Sequence, residues 1–121
     1  MNRISVIEYR GVSVVLLDFT NATDPATTIA EIGEAKRFFA AYPPNGSLRT
    51  LTDVTGARYN TAVLEALKDL AAHNKPYVGP AAAVVQTALH RVAMNLAGLF
   101  SGRKFRAFAS RDEALDWLAS Q

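Results

Sequence analysis

The apolar positions of this chain change their period along its length, and each change marks an element. Residues 4–9, "ISVIEY", and 12–19, "VSVVLLDF", are β-branched and apolar and are separated by Arg10-Gly11. That pattern predicts two strands joined by a tight turn, an antiparallel hairpin. The second run is the more continuously apolar, as expected of a strand covered on both faces. Asp24-Pro25 then opens a helix, because the carboxylate accepts from first-turn amides and the proline lacks an amide where none is needed. Ile29, Ile32, Phe39 and Tyr42 recur on one face of that helix, and "PPNG" at 43–46 ends it.

"SLRTLTDV" at 47–54 alternates as a third strand, with Leu48, Thr50, Thr52 and Val54 on one side. Residues 61–73 form the next helix, buried along Val63, Leu64, Leu67, Leu70 and Ala71; Asn74 suits its C-terminal cap and Pro76 prevents continuation. "PAAAVV" at 80–85 is a short apolar strand whose small residues permit close packing. Leu89, Val92, Ala93, Leu96 and Phe100 mark a third helix, stopped around Gly102, and "FRAFA" at 105–109 is the last strand. "SRDEALDWLAS" begins with a capping box, in which Ser110 accepts from the amide of Glu113; Leu115, Trp117 and Leu118 anchor this fourth helix. Strands alternating with single helices call for right-handed crossovers and a mostly parallel sheet covered on both faces. No linker, low-complexity segment or internal repeat interrupts the pattern. The expectation is one α/β domain over 1–121, in the order ββαβαβαβα: a mostly parallel five-stranded sheet with an opening antiparallel hairpin and four helices.

Composition narrows the function. Of 121 residues, 50% are hydrophobic and 20% charged, an ordinary globular mix with a real core. The absence of cysteine excludes disulfides, thiolate metal sites and a cysteine nucleophile. A net charge of +2 is too small to argue for nucleic acid. The one basic cluster, Arg103, Lys104 and Arg106, reads as a solvated edge before a strand. No apolar run approaches the roughly 20 residues that span a bilayer, and polar residues come too early for a signal peptide. No stable membrane insertion is expected, and the expected compartment is the cytoplasm.

In such a sheet, ligands gather outside the carboxyl ends of the strands, beside helix N-termini. Here that edge collects residues 18–21, 53–60 and 86–91. Thr87, His90 and Arg91 make a rim on the third helix, with Arg91 the natural ligand for phosphate or carboxylate. The same residues also read as a helix cap followed by a solvated face. Asp18 and Asp53, each near a strand end, invite comparison with paired carboxylates that hold a divalent ion, as in response-regulator receivers. Phe19 stands where a second acidic residue would be needed, however, and Lys104 precedes the last strand instead of following a strand. Asp53 reads as a turn residue bonding amides two residues on. Asp69 and His73 share a helix face, which fits a local hydrogen bond better than a metal site. There is no G-x-S-x-G elbow, no Gly-rich phosphate loop and no dinucleotide fingerprint, so neither enzymatic activity nor a cofactor is expected.

The opening hairpin, "LTDVTG" after the third strand, "NKPYV" before the fourth and "GRKFRAFASRDEALDWL" at the end resemble a STAS domain. That is the fold of anti-sigma-factor antagonists and sulphate-transporter tails. The chain more closely resembles the SpoIIAA-like bacterial branch, grouped with CRAL-TRIO-type lipid binders. The reading that follows is a non-catalytic regulatory module of this type that docks a protein partner at the carboxyl edge; the ligand- or partner-binding candidates there are Asp53, Thr55, Gly56, Arg58, Thr61, Thr87, His90 and Arg91. The alternative is a carrier or sensor of a small apolar or anionic, lipid-like ligand between the third helix and the sheet. Ala81, Ala82, Ala83, Ala88, Ala93, Ala97 and Gly98 would either leave a cavity there or let helix and sheet pack tightly. Asp53-Val54-Thr55-Gly56 resembles the family's Asp-x-Ser-Gly turn. Aligned without gaps, the family's phosphorylated serine falls on Val63, so the switch residue is missing. Thr61 is the phosphorylation candidate only if the loop is two residues shorter. The free edge of the hairpin and Trp117 are the surfaces a homodimer would use.

Overall fold

The computed structural model describes residues 3–87 and 105–121. β1 (Ile4–Tyr9) and β2 (Val12–Asp18) pair antiparallel, from Tyr9 opposite Val12 to Ile4 opposite Leu17. Arg10 and Gly11 between them both have positive φ, 49° and 82°, the backbone that a two-residue hairpin turn of matching twist demands. β3 (Leu48–Asp53), β4 (Val78–Val84) and β5 (Phe105–Phe108) then add in parallel, giving the sheet order β1-β2-β3-β4-β5.

Because sheet order follows chain order, right-handed crossovers lay α1 (Pro25–Ala40) and α2 (Thr61–Asn74) on one face. Ile32, Ala35 and Phe39 of α1 and Val63, Leu67 and Leu70 of α2 bury there against Val15, Leu17, Ala81 and Ala83. The last helix, α3 (Arg111–Ala119), covers the other face, where Ala114 and Leu118 bury against Val14, Leu16, Leu51, Ala82 and Val84. The continuous apolar runs of β2 and β4 have this cause: alternate side chains serve opposite cores. Among the described residues there are five strands and three helices; the expected helix over Leu89–Phe100 lies outside them.

Three local expectations shift. The buried stripe of α1 is Thr28, Ile32, Ala35 and Phe39, and Ile29 is exposed. Thr28 can be buried because its hydroxyl donates to the carbonyl of Asp24 (2.9 Å). Asn74 is the buried last residue of α2, with Lys75 as the cap, and its carbonyl accepts from the amide of Tyr77 (2.9 Å) to start the turn into β4. β4 begins two residues before Pro80, at Val78. The register against β3 slips between Leu48 and Thr50, a bulge that takes up Gly79-Pro80, where proline has no ladder bond to lose.

Candidate functional site

β2 and β3 end flush, with Asp18 and Asp53 as register partners, and the chain leaves both strands by the same turn. Phe19-Thr20-Asn21-Ala22 is closed by Ala22 N–H donating to Phe19 O (3.2 Å), and Val54-Thr55-Gly56-Ala57 by Ala57 N–H donating to Val54 O (3.0 Å). The third residue of each is left-handed, Asn21 at φ 57° and Gly56 at φ 71°. In each, the preceding aspartate accepts from the threonine two residues on. Asp18 Oδ1 takes Thr20 N–H (3.1 Å) and Oγ1–H (2.5 Å), and Asp53 Oδ1 takes Thr55 N–H (3.0 Å) and Oγ1–H (2.6 Å). The turn chemistry expected of Asp53 is therefore present, twice over. The two turns are also stitched together: Phe19 N–H donates to Asp53 O (2.9 Å), Asn21 N–H to Thr55 O (2.8 Å) and Arg58 N–H to Ala22 O (3.0 Å).

The charge between the two carboxylates is a guanidinium. Arg111 is the first residue of α3, behind the Ser110 cap, whose Oγ accepts from Glu113 N–H (3.3 Å). Its Nε donates to Asp53 Oδ2 (2.6 Å), and its Nη2 lies 3.2 Å from Asp18 Oδ1. Asp53 is nearly enclosed, its side chain 5% exposed, whereas Asp18 and Arg111 are each 39% exposed. Partial burial pushes the Asp18 carboxyl up, but the Thr20 hydroxyl and amide, and then Arg111, outweigh it and hold it below the usual range. The bond to Asp53 leads the causes that raise Arg111. Arg3 braces the first turn from behind: its Nη1 donates to the carbonyls of Asp18 (2.8 Å) and Thr20 (3.2 Å), while its Nε pairs with Glu31 (2.7 Å).

Of the residues expected at this edge, Asp53, Thr55, Gly56, Arg58 and Thr61 come together. Thr55 is half-buried, and Gly56, Arg58 and Thr61 are exposed. Asn60 caps α2 by accepting from Val63 N–H (2.8 Å), so Thr61 is the first helical residue. Val63 is 1% exposed, within the core. Thr87 is exposed, three residues past the end of β4. His90 and Arg91 lie outside the described residues, as does most of the small-residue set proposed for a lipid-like ligand. His73 sits near the far end of α2, bonded to Asn74 Oδ1 (3.0 Å) and stacked on Tyr77 (5.7 Å). Trp117 is half-buried against Phe108, ring centres 5.7 Å apart. Among the described residues no group of three or more His, Asp or Glu is placed to hold a metal ion, and no helix is long and apolar enough to cross a membrane.

Two features were missed from sequence. Arg111 lies inside a segment read only for its cap. The Asp18 turn is a second copy of the Asp53 turn, and the signal was present: "DFTNA" at 18–22 and "DVTGA" at 53–57 share one pattern, each closing an apolar run.

The chain is similar to a crystal structure of an anti-sigma factor antagonist from Mycobacterium paratuberculosis, with 22% identity and a TM-score of 0.49 over 96% of this chain and 92% of that one. No family model and no curated protein matches the chain.

Proposed function

We propose that this chain is a non-catalytic regulatory module of STAS type that docks a protein partner at the carboxyl edge of its sheet, over the twin turns and the start of α2. One observation carries the reading. Both carboxylates at this edge are engaged in fixing backbone and Arg111, so the edge is a braced surface on which Gly56, Arg58 and Thr61 stand exposed. A fixed, polar loop edge on a rigid sheet is what recognition uses, because little ordering cost remains at binding. Thr61 is an exposed hydroxyl at this edge, open to modification. A phosphoryl group on it would sit at the start of α2, where anions are stabilised. Val63, the ungapped counterpart, is enclosed.

The test is site-specific photo-cross-linking in the host cell. A photoreactive residue at Arg58 or Thr61 should trap a discrete partner, and the same residue at exposed Ser47, at the opposite edge, should not. Trapping from Ser47 alone, or from neither edge, refutes the docking reading. With the partner in hand, Thr61→Glu should change its affinity and Thr61→Val should not.

A further inference from the structure

β1 is an outer strand of the sheet, and its hydrogen bonding can be followed residue by residue. A two-residue turn makes its closing pair, Tyr9 and Val12, a hydrogen-bonded pair. Alternation then turns the odd-numbered residues of β1 toward β2, as the bond from Asp18 N–H to Arg3 O (2.8 Å) bears out at the far end. The backbone N–H and C=O of Val6 and Glu8 consequently face away from the sheet. Val6 occupies the middle of this edge and is 49% exposed, more than any other large apolar side chain described.

We propose that β1 is a self-pairing surface: a second copy of this chain adds antiparallel to it, about a two-fold axis at Val6, to make one continuous sheet. An antiparallel pair centred on a residue exchanges both of that residue's backbone bonds, which requires outward-facing groups there. Glu8 fails as the centre because two carboxylates would stand directly opposite each other. Ile4 fails because its side chain is already enclosed in the core. With Val6 at the centre, two β-branched apolar side chains meet across the axis, a favourable cross-strand pair. The two Glu8 side chains are then four residues apart, about 13 Å at strand rise, beyond a Debye length of about 8 Å at physiological salt. The proposal is independent of the docking reading, because it uses the hairpin edge of the sheet and none of the residues of the twin turns.

The absence of cysteine makes a clean test. Opposed residues in a hydrogen-bonded pair have Cα atoms about 5.5 Å apart, within the roughly 4.4–6.8 Å that a disulfide spans. Val6→Cys should therefore cross-link into a covalent dimer on mild oxidation. Ser5→Cys should not, since Ser5 faces Ile7 of the other copy and not itself. Sedimentation should give twice the 13.1 kDa chain mass for the unaltered protein. Val6→Lys should return it to the monomer mass with unchanged circular dichroism. A monomer at high micromolar concentration, a dimer untouched by Val6→Lys, or equal cross-linking at positions 5 and 6 overturns the proposal.

Discussion

Replacing Arg111 with methionine keeps most of the stem's packing and removes a charge that two strands share. The Nε bond joins a charged donor to the nearly enclosed carboxylate of Asp53 at 2.6 Å, a contact worth about 1.5–3 kcal/mol. The pairing with Asp18 is half in solvent and adds about 0–1 kcal/mol. Arg111→Met should therefore destabilise the fold by about 2–4 kcal/mol, most of it from leaving Asp53 enclosed with only Thr55 as a partner. Asp53→Asn keeps an acceptor for Thr55 but turns an amide donor toward the guanidinium, at a cost of about 1–3 kcal/mol. In the double variant no amide donor meets a guanidinium and no enclosed charge is left unpaired, so its cost should fall short of the sum by about 1–2 kcal/mol. Urea denaturation followed by circular dichroism and by the fluorescence of the single tryptophan, Trp117, measures all four proteins. The reasoning fails if Arg111→Met lies within about 0.5 kcal/mol of the unaltered protein, or if the two single costs add within that margin.

Asp18 supplies a pH dependence. Its folded-state value lies below the unfolded one, so the stability it contributes is complete above about pH 3.9, the unfolded value, and is lost as pH falls through the folded value. Urea midpoints of the unaltered protein and Asp18→Asn should differ at neutral pH and converge in acid; a constant gap contradicts this. Asn60→Ala removes the cap of α2 and should cost about 1 kcal/mol, with faster amide exchange confined to the first turn of that helix. Leu118→Ala empties a fully enclosed position under α3 and should cost about 2–5 kcal/mol, visible as a lower urea midpoint.

What could be read in advance was whatever depends on neighbours in sequence. The hairpin, the caps at Asp24 and Ser110 and the Asx turn at Asp53 each involve groups within four residues of one another, and each is found where expected. Ile29 was misplaced because period alone does not locate the centre of a buried stripe, and a threonine that satisfies its own hydroxyl against Asp24 took the inner position. The bracing of the site was hidden for another reason. Arg111 and Asp53 lie far apart along the chain and meet only because β5 delivers the start of α3 to the same edge on which β3 ends. A charge beside a helix cap looks the same whether it faces water or a carboxylate two strands away.

The twin turns differ at two positions, Phe19 against Val54 and Asn21 against Gly56, and the second difference is asymmetric. Two parallel strands that end flush must each turn toward a helix, and the same Asp-x-Thr bonds followed by a left-handed residue solve that problem twice. Asn21 tolerates φ 57° as asparagine commonly does, and its carboxamide lies over Gly56. A Cβ on Gly56 would fall 2.3 Å from Asn21 Oδ1, so while the first turn keeps its asparagine the second has room for glycine alone. Gly56→Ala should then carry two costs: about 1–2 kcal/mol for a left-handed alanine, and the displacement of the Asn21 side chain. Asn21→Gly removes the second cost and keeps a residue suited to positive φ. Measured by urea denaturation, Gly56→Ala should cost clearly less in the Asn21→Gly background than alone. If the two costs are equal, the turns do not constrain each other through this contact, and the stitching between them rests on backbone bonds alone.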